Sequence, residues 1–186
     1  MKNKKMLWLI LAIPACLLLI GCSFTGQNYR TSIENVDTLA EIHKGSHKIN
    51  VATFNMSGAS SGAIMCRAAG TVGTPSGVSF AQYIHDGLVQ ELKHANMYSA
   101  GAQSTLHGKV NNINLSTMIG AGGWKVDMTF DDGVHAPFRV VDTYKFSTNF
   151  VAEVACEQAA NAIEPMVEQF LKKLYLSPGF RKALKD

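Results

Sequence analysis

The chain begins with a short basic segment and an uncharged apolar run that ends on a cysteine. Three lysines precede the run 6–20, and Cys22 follows it after one glycine. A membrane-spanning helix needs roughly 20 apolar residues, so this run is too short, but it suits the apolar core of an export signal. The fold is therefore expected to form from the residues after this segment, outside the cytoplasm.

The sequence LLLIGC at 17–22 resembles the lipobox of bacterial lipoproteins. The positive charge, the apolar length, the small Gly21 and the cysteine follow one another in that family's order. In that family the thiol is acylated, the chain is cut before the cysteine, and the new N-terminus is acylated. The resemblance implies a lipoprotein signal peptide over 1–21 and a membrane anchor at Cys22, where several acyl chains together hold firmly. A retained signal anchor with a chance cysteine is the alternative.

The residue after the cysteine bears on which membrane holds the lipid. In lipoproteins of Gram-negative bacteria an aspartate at this position favours the inner membrane, and this chain has Ser23. The resemblance therefore implies a lipid anchor in the outer membrane, with the domain facing the periplasm.

Charge argues against a nucleic-acid partner. The whole chain has 17 basic and 14 acidic residues, but three of the lysines belong to the signal segment. The remaining chain is therefore balanced, and it contains no basic run. Its length suits one domain with one core.

Composition divides the chain after the signal peptide into two parts. Residues 22–48 are polar with scattered apolar residues, which predicts a lipidated N-terminus and a flexible tether. Residues 49–186 are expected to form a single α+β periplasmic domain. Its first strand is predicted at 49–55, and the Gly-, Ser- and Ala-rich stretch 56–78 is predicted to be a long loop.

Apolar periodicity then predicts the core elements. The segment 79–96 is the clearest helix, with Ser79 as its cap. The segment 124–130 alternates as a strand, with one apolar face. That face carries Trp124, Val126, Met128 and Phe130.

Three further segments complete the predicted order. Strands are expected at 105–118 and 138–147, and a helical region that Pro165 interrupts is expected from 149 to 176. The order β-α-β-β-β-α predicts an α+β fold, in which an antiparallel sheet packs two main helices on one face.

Parts of this domain also resemble known lipoproteins. The runs FAQYIHDGLVQEL, GGW, FVAEVACEQAANAIEPMVEQFLKKL and SPGF are similar to small uncharacterised lipoproteins of Gram-negative bacteria, over about residues 49–184. The element order resembles periplasmic lipoproteins that assist lipopolysaccharide assembly and lipid transport. This second resemblance concerns layout only, and layout does not fix function.

Two cysteines remain once Cys16 is lost with the signal and Cys22 carries lipid. In an oxidising compartment Cys66 and Cys156 are expected to form one disulfide. Closing a loop of about 90 residues would stabilise the fold by roughly 4.5 kcal/mol in the chain-entropy model. Two buried, unpaired cysteines are the alternative.

One motif in the sequence suggests a catalytic site. GASSG at 58–62 matches the nucleophile elbow of α/β-hydrolases, with Ser60 as nucleophile, and Asp127 or Asp132 and then His135 follow in a compatible order. The motif requires a helix directly after the serine, whereas 63–74 shows no helical stripe. We therefore expect no catalytic residues, and whether 63–74 is helical decides between the two hypotheses.

No cofactor or metal site is expected. His43 and His47 have the spacing of a helical metal pair, but Gly45 and Ser46 disfavour a helix there and no third ligand is evident. The sequence thus predicts a non-catalytic lipoprotein that binds an envelope protein in assembly or transport, through a sheet edge or the loop 56–78. The open edge is expected at 49–55 or 105–118, because neither strand shows strong apolar alternation. A lipid-anchored serine hydrolase and a structural spacer are the alternatives.

Overall fold

The structure is a computed structural model and describes residues 22–42, 44, 47–56 and 62–185. Its helices are α1 (Ile33–Ile42), α2 (Phe80–His94), α3 (Ala152–Asn161), α4 (Ile163–Leu176) and α5 (Pro178–Ala183). Its strands are β1 (Cys22–Thr25), β2 (Ile49–Val51), β3 (Asn55–Met56), β4 (Ala63–Cys66), β5 (Gly70–Gly73), β6 (Ser104–Met118), β7 (Ala121–Asp131) and β8 (Phe138–Phe146). Across these residues, no helix combines the length and the apolar character that crossing a membrane requires.

The large sheet has the order β2-β6-β7-β8, and β3 also pairs with β6. The predicted α+β class is confirmed, but the sheet is mixed where a purely antiparallel one was predicted. Strands β6, β7 and β8 run antiparallel, whereas β2 and β3 run parallel to β6. The chain passes through helix α2 between β2 and β6, and a helical crossover returns the next strand in the parallel direction.

One face of β7 forms the centre of the core. Trp124, Met128 and Phe130 are fully buried, as the alternation predicts. Helix residues cover them: the Phe80 ring lies 5.5 Å from the Trp124 ring, and the Phe170 ring lies 6.4 Å from that of Phe130. The predicted packing of helices on one face of the sheet is therefore observed.

Local signals fix where the helices begin and end. The Ser79 side chain accepts a hydrogen bond from the Gln82 amide, so α2 starts where its cap predicts. The C-terminal helical region breaks at Ala162, and Pro165 then lies in the first turn of α4, where its missing N–H costs little.

The segment expected to be a tether differs most from the sequence prediction. Strand β1 pairs with β5, and α1 packs on α2 and α4. The predicted loop 56–78 contains the hairpin β4–β5, and a small sheet of order β1-β5-β4 results. Gly70 permits this pairing, because a Cβ atom there would lie 1.9 Å from the Cys22 carbonyl oxygen. Such short strands carry too few residues to show alternation.

Candidate functional site

The proposed lipidation site, Cys22, is the first residue of β1 and is exposed. It pairs with Gly70 on β5, which in turn pairs with Cys66 on β4. Adjacent strands lie about 4.8 Å apart, so Cys22 is about 10 Å from Cys66. A lipid on Cys22 would therefore be attached directly to the small sheet, without a spacer.

Beside this position the structure contains the predicted disulfide. Cys66 and Cys156 are bonded, both are buried, and their Cα atoms are 5.9 Å apart. The bridge joins the end of β4 to helix α3. It therefore ties the sheet that carries Cys22 to the C-terminal half of the domain.

Arg67, next to the disulfide, connects three separate parts of the chain. Its guanidinium donates to the carbonyl oxygen of Thr117 at 2.6 Å, of Phe150 at 2.9 Å and of Asn149 at 3.0 Å. The turn after β4 is thus held to the β6–β7 hairpin and to the segment before α3. The sequence does not indicate this contact, because the acceptors are main-chain oxygens that no side-chain pattern reveals.

The parts of the chain that Arg67 joins present large apolar side chains to solvent. We call this group the apolar tip, and it consists of Met118, Ile119, Phe150 and Val151. Phe150 is 77% exposed, Met118 70% and Ile119 64%. Because Arg67 directly follows Cys66, the apolar tip lies at the same end of the molecule as Cys22.

The face of the large sheet that points away from the helices is polar and open. We call it the outer face, and its exposed charged residues are Lys109, Lys125, Arg139 and Lys145. The shallow surface they share suits a partner of opposite charge more than an enclosed small molecule.

One carboxylate interrupts the positive charge of the outer face. Asp127 accepts hydrogen bonds from the Arg139 guanidinium, with its Nε at 2.8 Å, and from the Asn111 side-chain amide at 3.0 Å. The bond from Arg139 is the main reason that the pKa of Asp127 falls to about 2. The sequence predicts its outward direction, but not that its neighbours bury it.

The segment after Ser60 does not form the helix that the hydrolase hypothesis requires. Ser60 lies outside the described residues, but 63–73 forms the hairpin β4–β5 where a nucleophile elbow requires a helix. The carboxylate of the Asp127 candidate is bound to Arg139 and not to a histidine.

The other predicted acid–base pair belongs to a turn. The carboxylate of Asp132 lies 2.7 Å from Nδ1 of His135 and also accepts from the amides of Val134 and His135. Burial alone would raise the pKa of Asp132, but these hydrogen bonds outweigh burial and lower it to about 2. The pair therefore closes the β7–β8 hairpin.

The histidine pair considered for a metal is only partly described, since His43 lies outside the described residues. Across 22–42, 44, 47–56 and 62–185, no three His, Cys, Asp or Glu side chains are grouped so that they could hold a metal ion.

A buried polar cluster that the sequence analysis missed holds the N-terminal segment in place. The fully buried Glu91 carboxylate accepts from the hydroxyls of Tyr29 at 2.5 Å and Tyr175 at 2.6 Å, and from the Asn35 amide at 3.1 Å. Burial raises the pKa of Glu91 and of Tyr175. Glu91 follows Leu88 by three positions on the buried side of α2, and this spacing is the signal that could have revealed it.

Comparison with known proteins identifies a shared fold. No family model matches the chain, and no curated protein matches it. The chain is similar to the crystal structure of a Xanthomonas campestris protein of the family model DUF330, with a TM-score of 0.51 and 8% identity over 83% of this chain and 95% of that one. It is also similar to a "putative lipoprotein" from Caulobacter crescentus CB15, with a TM-score of 0.38 and 13% identity over 80% of this chain and 93% of that one, a likeness too weak to carry an argument. The Xanthomonas protein shows that this arrangement of sheets and helices is a known fold.

Proposed function

We propose that the protein is an outer-membrane lipoprotein that faces the periplasm and serves, without catalysis, as a binding or accessory component of envelope assembly or transport. The observation that carries the proposal is Cys22, the lipobox cysteine, which is exposed at the start of the folded domain. The disulfide between Cys66 and Cys156 supports an oxidising compartment.

Fractionation of the full-length chain tests the anchor. We expect wild-type protein in the outer membrane, and Cys22→Ser as an uncut or soluble precursor. Cys16→Ser is the matched control, because it changes a cysteine of the signal segment outside the lipobox and should fractionate like wild type. If Cys22→Ser fractionates like wild type and is processed normally, the anchor proposal is wrong.

The outer face is the surface we propose for an envelope protein partner. Four exposed basic side chains lie on it, and the adjoining strand β8 pairs with β7 on one side only within the described residues. An open strand edge offers main-chain groups to a second protein. The sequence predicts such an edge at 49–55 or 105–118. Strand β2, in the first of these segments, lies at an edge, whereas β6, in the second, lies inside the sheet.

Recovery of partners in detergent tests this surface. We expect Lys125→Glu with Lys145→Glu to lower recovery of a crosslinked envelope protein several-fold, because both changes reverse charge on the outer face. Lys182→Glu with Lys185→Glu is the matched control, since these exposed lysines lie on and just after α5. Equal recovery from both pairs would exclude the outer face. Loss of function with Ser60→Ala alone would instead support the hydrolase.

A further inference from the structure

We propose that the apolar tip inserts into the membrane interface beside the lipid, so that the domain lies directly on the bilayer. The ligand is the lipid surface itself, and the proposal rests on the proposed lipidation of Cys22. It assigns to Met118, Ile119, Phe150 and Val151 a role that the anchor alone does not explain.

Cys22 is both the proposed lipid attachment site and part of the folded domain. Acyl chains on this cysteine must lie in the bilayer, and the cysteine is itself part of the small sheet. Gly70 and Cys66 continue the same row across that sheet, over about 10 Å. The end of the domain around Cys22 is therefore held at the membrane surface, and a long spacer does not intervene.

The contacts of Arg67 extend this end to the apolar tip. Arg67 directly follows Cys66 in sequence. Its guanidinium donates to the carbonyl oxygen of Thr117, which precedes Met118, and to that of Phe150. The β6–β7 hairpin and the segment before α3 are thus fixed close to the lipid-bearing cysteine. Their exposed apolar side chains indicate an apolar ligand that is permanently close to the Cys22 end of the domain.

Several carbonyl oxygens of the apolar tip already have hydrogen-bond donors within the protein. Carbonyl oxygens without partners are costly in an apolar environment. Here Arg67 binds the carbonyl oxygens of Thr117, Asn149 and Phe150, and the Thr148 hydroxyl donates to that of Met118. The apolar side chains can therefore enter the membrane interface while these carbonyl oxygens keep their hydrogen bonds.

Charge does not explain the proposed contact. The two charges beside the tip are opposite in sign: the Arg67 guanidinium is bound to three carbonyl oxygens, and Glu153 is exposed in the first turn of α3. The tip therefore depends on apolar burial, and its insertion should need neither anionic lipid nor low salt.

The opposite end of β7 provides a matched control. Val134 is 69% exposed in the β7–β8 hairpin, close to the 64% of Ile119 in the β6–β7 hairpin. Strand β7 has 11 residues, so the two hairpins are about 35 Å apart. A probe at either site has similar freedom, but only the probe at 119 lies at the end that carries Cys22.

Depth-dependent fluorescence tests the proposal on the mature, lipidated protein, which begins at Cys22. Ile119→Cys and Val134→Cys are each labelled with an environment-sensitive dye and reconstituted into phosphatidylcholine vesicles that contain a spin-labelled quencher lipid. The native thiols do not react, because Cys16 is removed with the signal segment, Cys22 carries lipid, and Cys66 and Cys156 are bridged. We expect a blue shift and several-fold stronger quenching at 119 than at 134, unchanged in high salt.

The outcomes separate the two proposals. N-terminal mass analysis of the same preparation shows whether Cys22 is acylated, and absence of the acyl mass overturns the anchor and with it this inference. If the protein is acylated but 119 and 134 are quenched equally, or 119 stays in water, insertion of the tip is wrong while the anchor stands. Quenching at 119 that high salt abolishes would also contradict an apolar contact.

Discussion

The two hairpins at the ends of β7 are stabilised in different ways. At the β6–β7 hairpin, the main chain is held by Arg67 from the turn after β4 and by Thr148 from the segment after β8. At the β7–β8 hairpin, Asp132 accepts hydrogen bonds from Val134 and His135, within its own turn. The first hairpin therefore depends on tertiary contacts and belongs to a cluster of exposed apolar side chains, whereas the second is closed by contacts within its own turn and exposes Val134. The apolar tip, at the end that carries Cys22, is thus a surface that tertiary contacts hold in place.

Loss of the disulfide should have the largest effect at that end. We expect Cys66→Ala with Cys156→Ala to lower the free energy of unfolding by about 2–5 kcal/mol, since the bridge closes a long loop. Urea unfolding measures the loss, and amide exchange should rise in β4 and β1 before it rises in the β7–β8 hairpin. Uniform change at both ends would remove the distinction between them.

Arg67→Ala should have the next largest effect. It leaves three carbonyl oxygens without their charged donor, which we expect to cost about 1–3 kcal/mol. Arg67→Lys keeps the charge but cannot reach all three oxygens in a fork, so it should recover only part of the loss. Amide exchange at 117–119 and 149–151 reports the local effect, and unchanged exchange there would show that Arg67 does not hold the tip.

Asp132→Ala should weaken the other hairpin by about 1 kcal/mol at neutral pH, because two amides and the His135 ring lose their acceptor. The lowered pKa of about 2 sets the pH dependence. Stability from Asp132 is complete above its unfolded pKa of about 4 and is lost as pH falls toward 2. The difference between wild type and Asp132→Ala should therefore shrink over this range, and a constant difference would contradict the assignment.

Exposed apolar residues at the two ends should contribute least to folding. We expect Ile119→Ser and Val134→Ser each to change the free energy of unfolding by less than about 0.5 kcal/mol, since both side chains already contact water. Thermal unfolding checks this, and a large loss from Ile119→Ser would mean that the apolar tip is needed for folding, not for contact with lipid.

The parts of the fold that the sequence predicts are those with a local period. Strand β7 alternates from Trp124 to Phe130, and Ser79 marks the start of α2, so both were found. The small sheet could not be found in this way, because β1, β4 and β5 have four residues each. Helix α1 has two buried residues and depends on the Glu91 cluster, whose partners lie far apart in sequence.

The same division applies to the candidate site. The bridge between Cys66 and Cys156 was predicted by counting thiols, and the structure contains it. Lipidation of Cys22 follows from the resemblance to the lipobox and stays a prediction. The direct attachment of Cys22 to the sheet, the reach of Arg67 and the clustering of the apolar tip are tertiary facts. They depend on strand pairing and on main-chain acceptors, which residue types alone do not specify.

Lipidation of Cys22 is tested by mass spectrometry of the N-terminal peptide, from protein purified out of the membrane fraction. We expect a peptide that begins at Cys22 and carries a diacylglycerol thioether and an N-terminal acyl group, with residues 1–21 removed. A peptide that retains those residues, or one in which Cys22 is unmodified, would contradict the anchor on which the function rests.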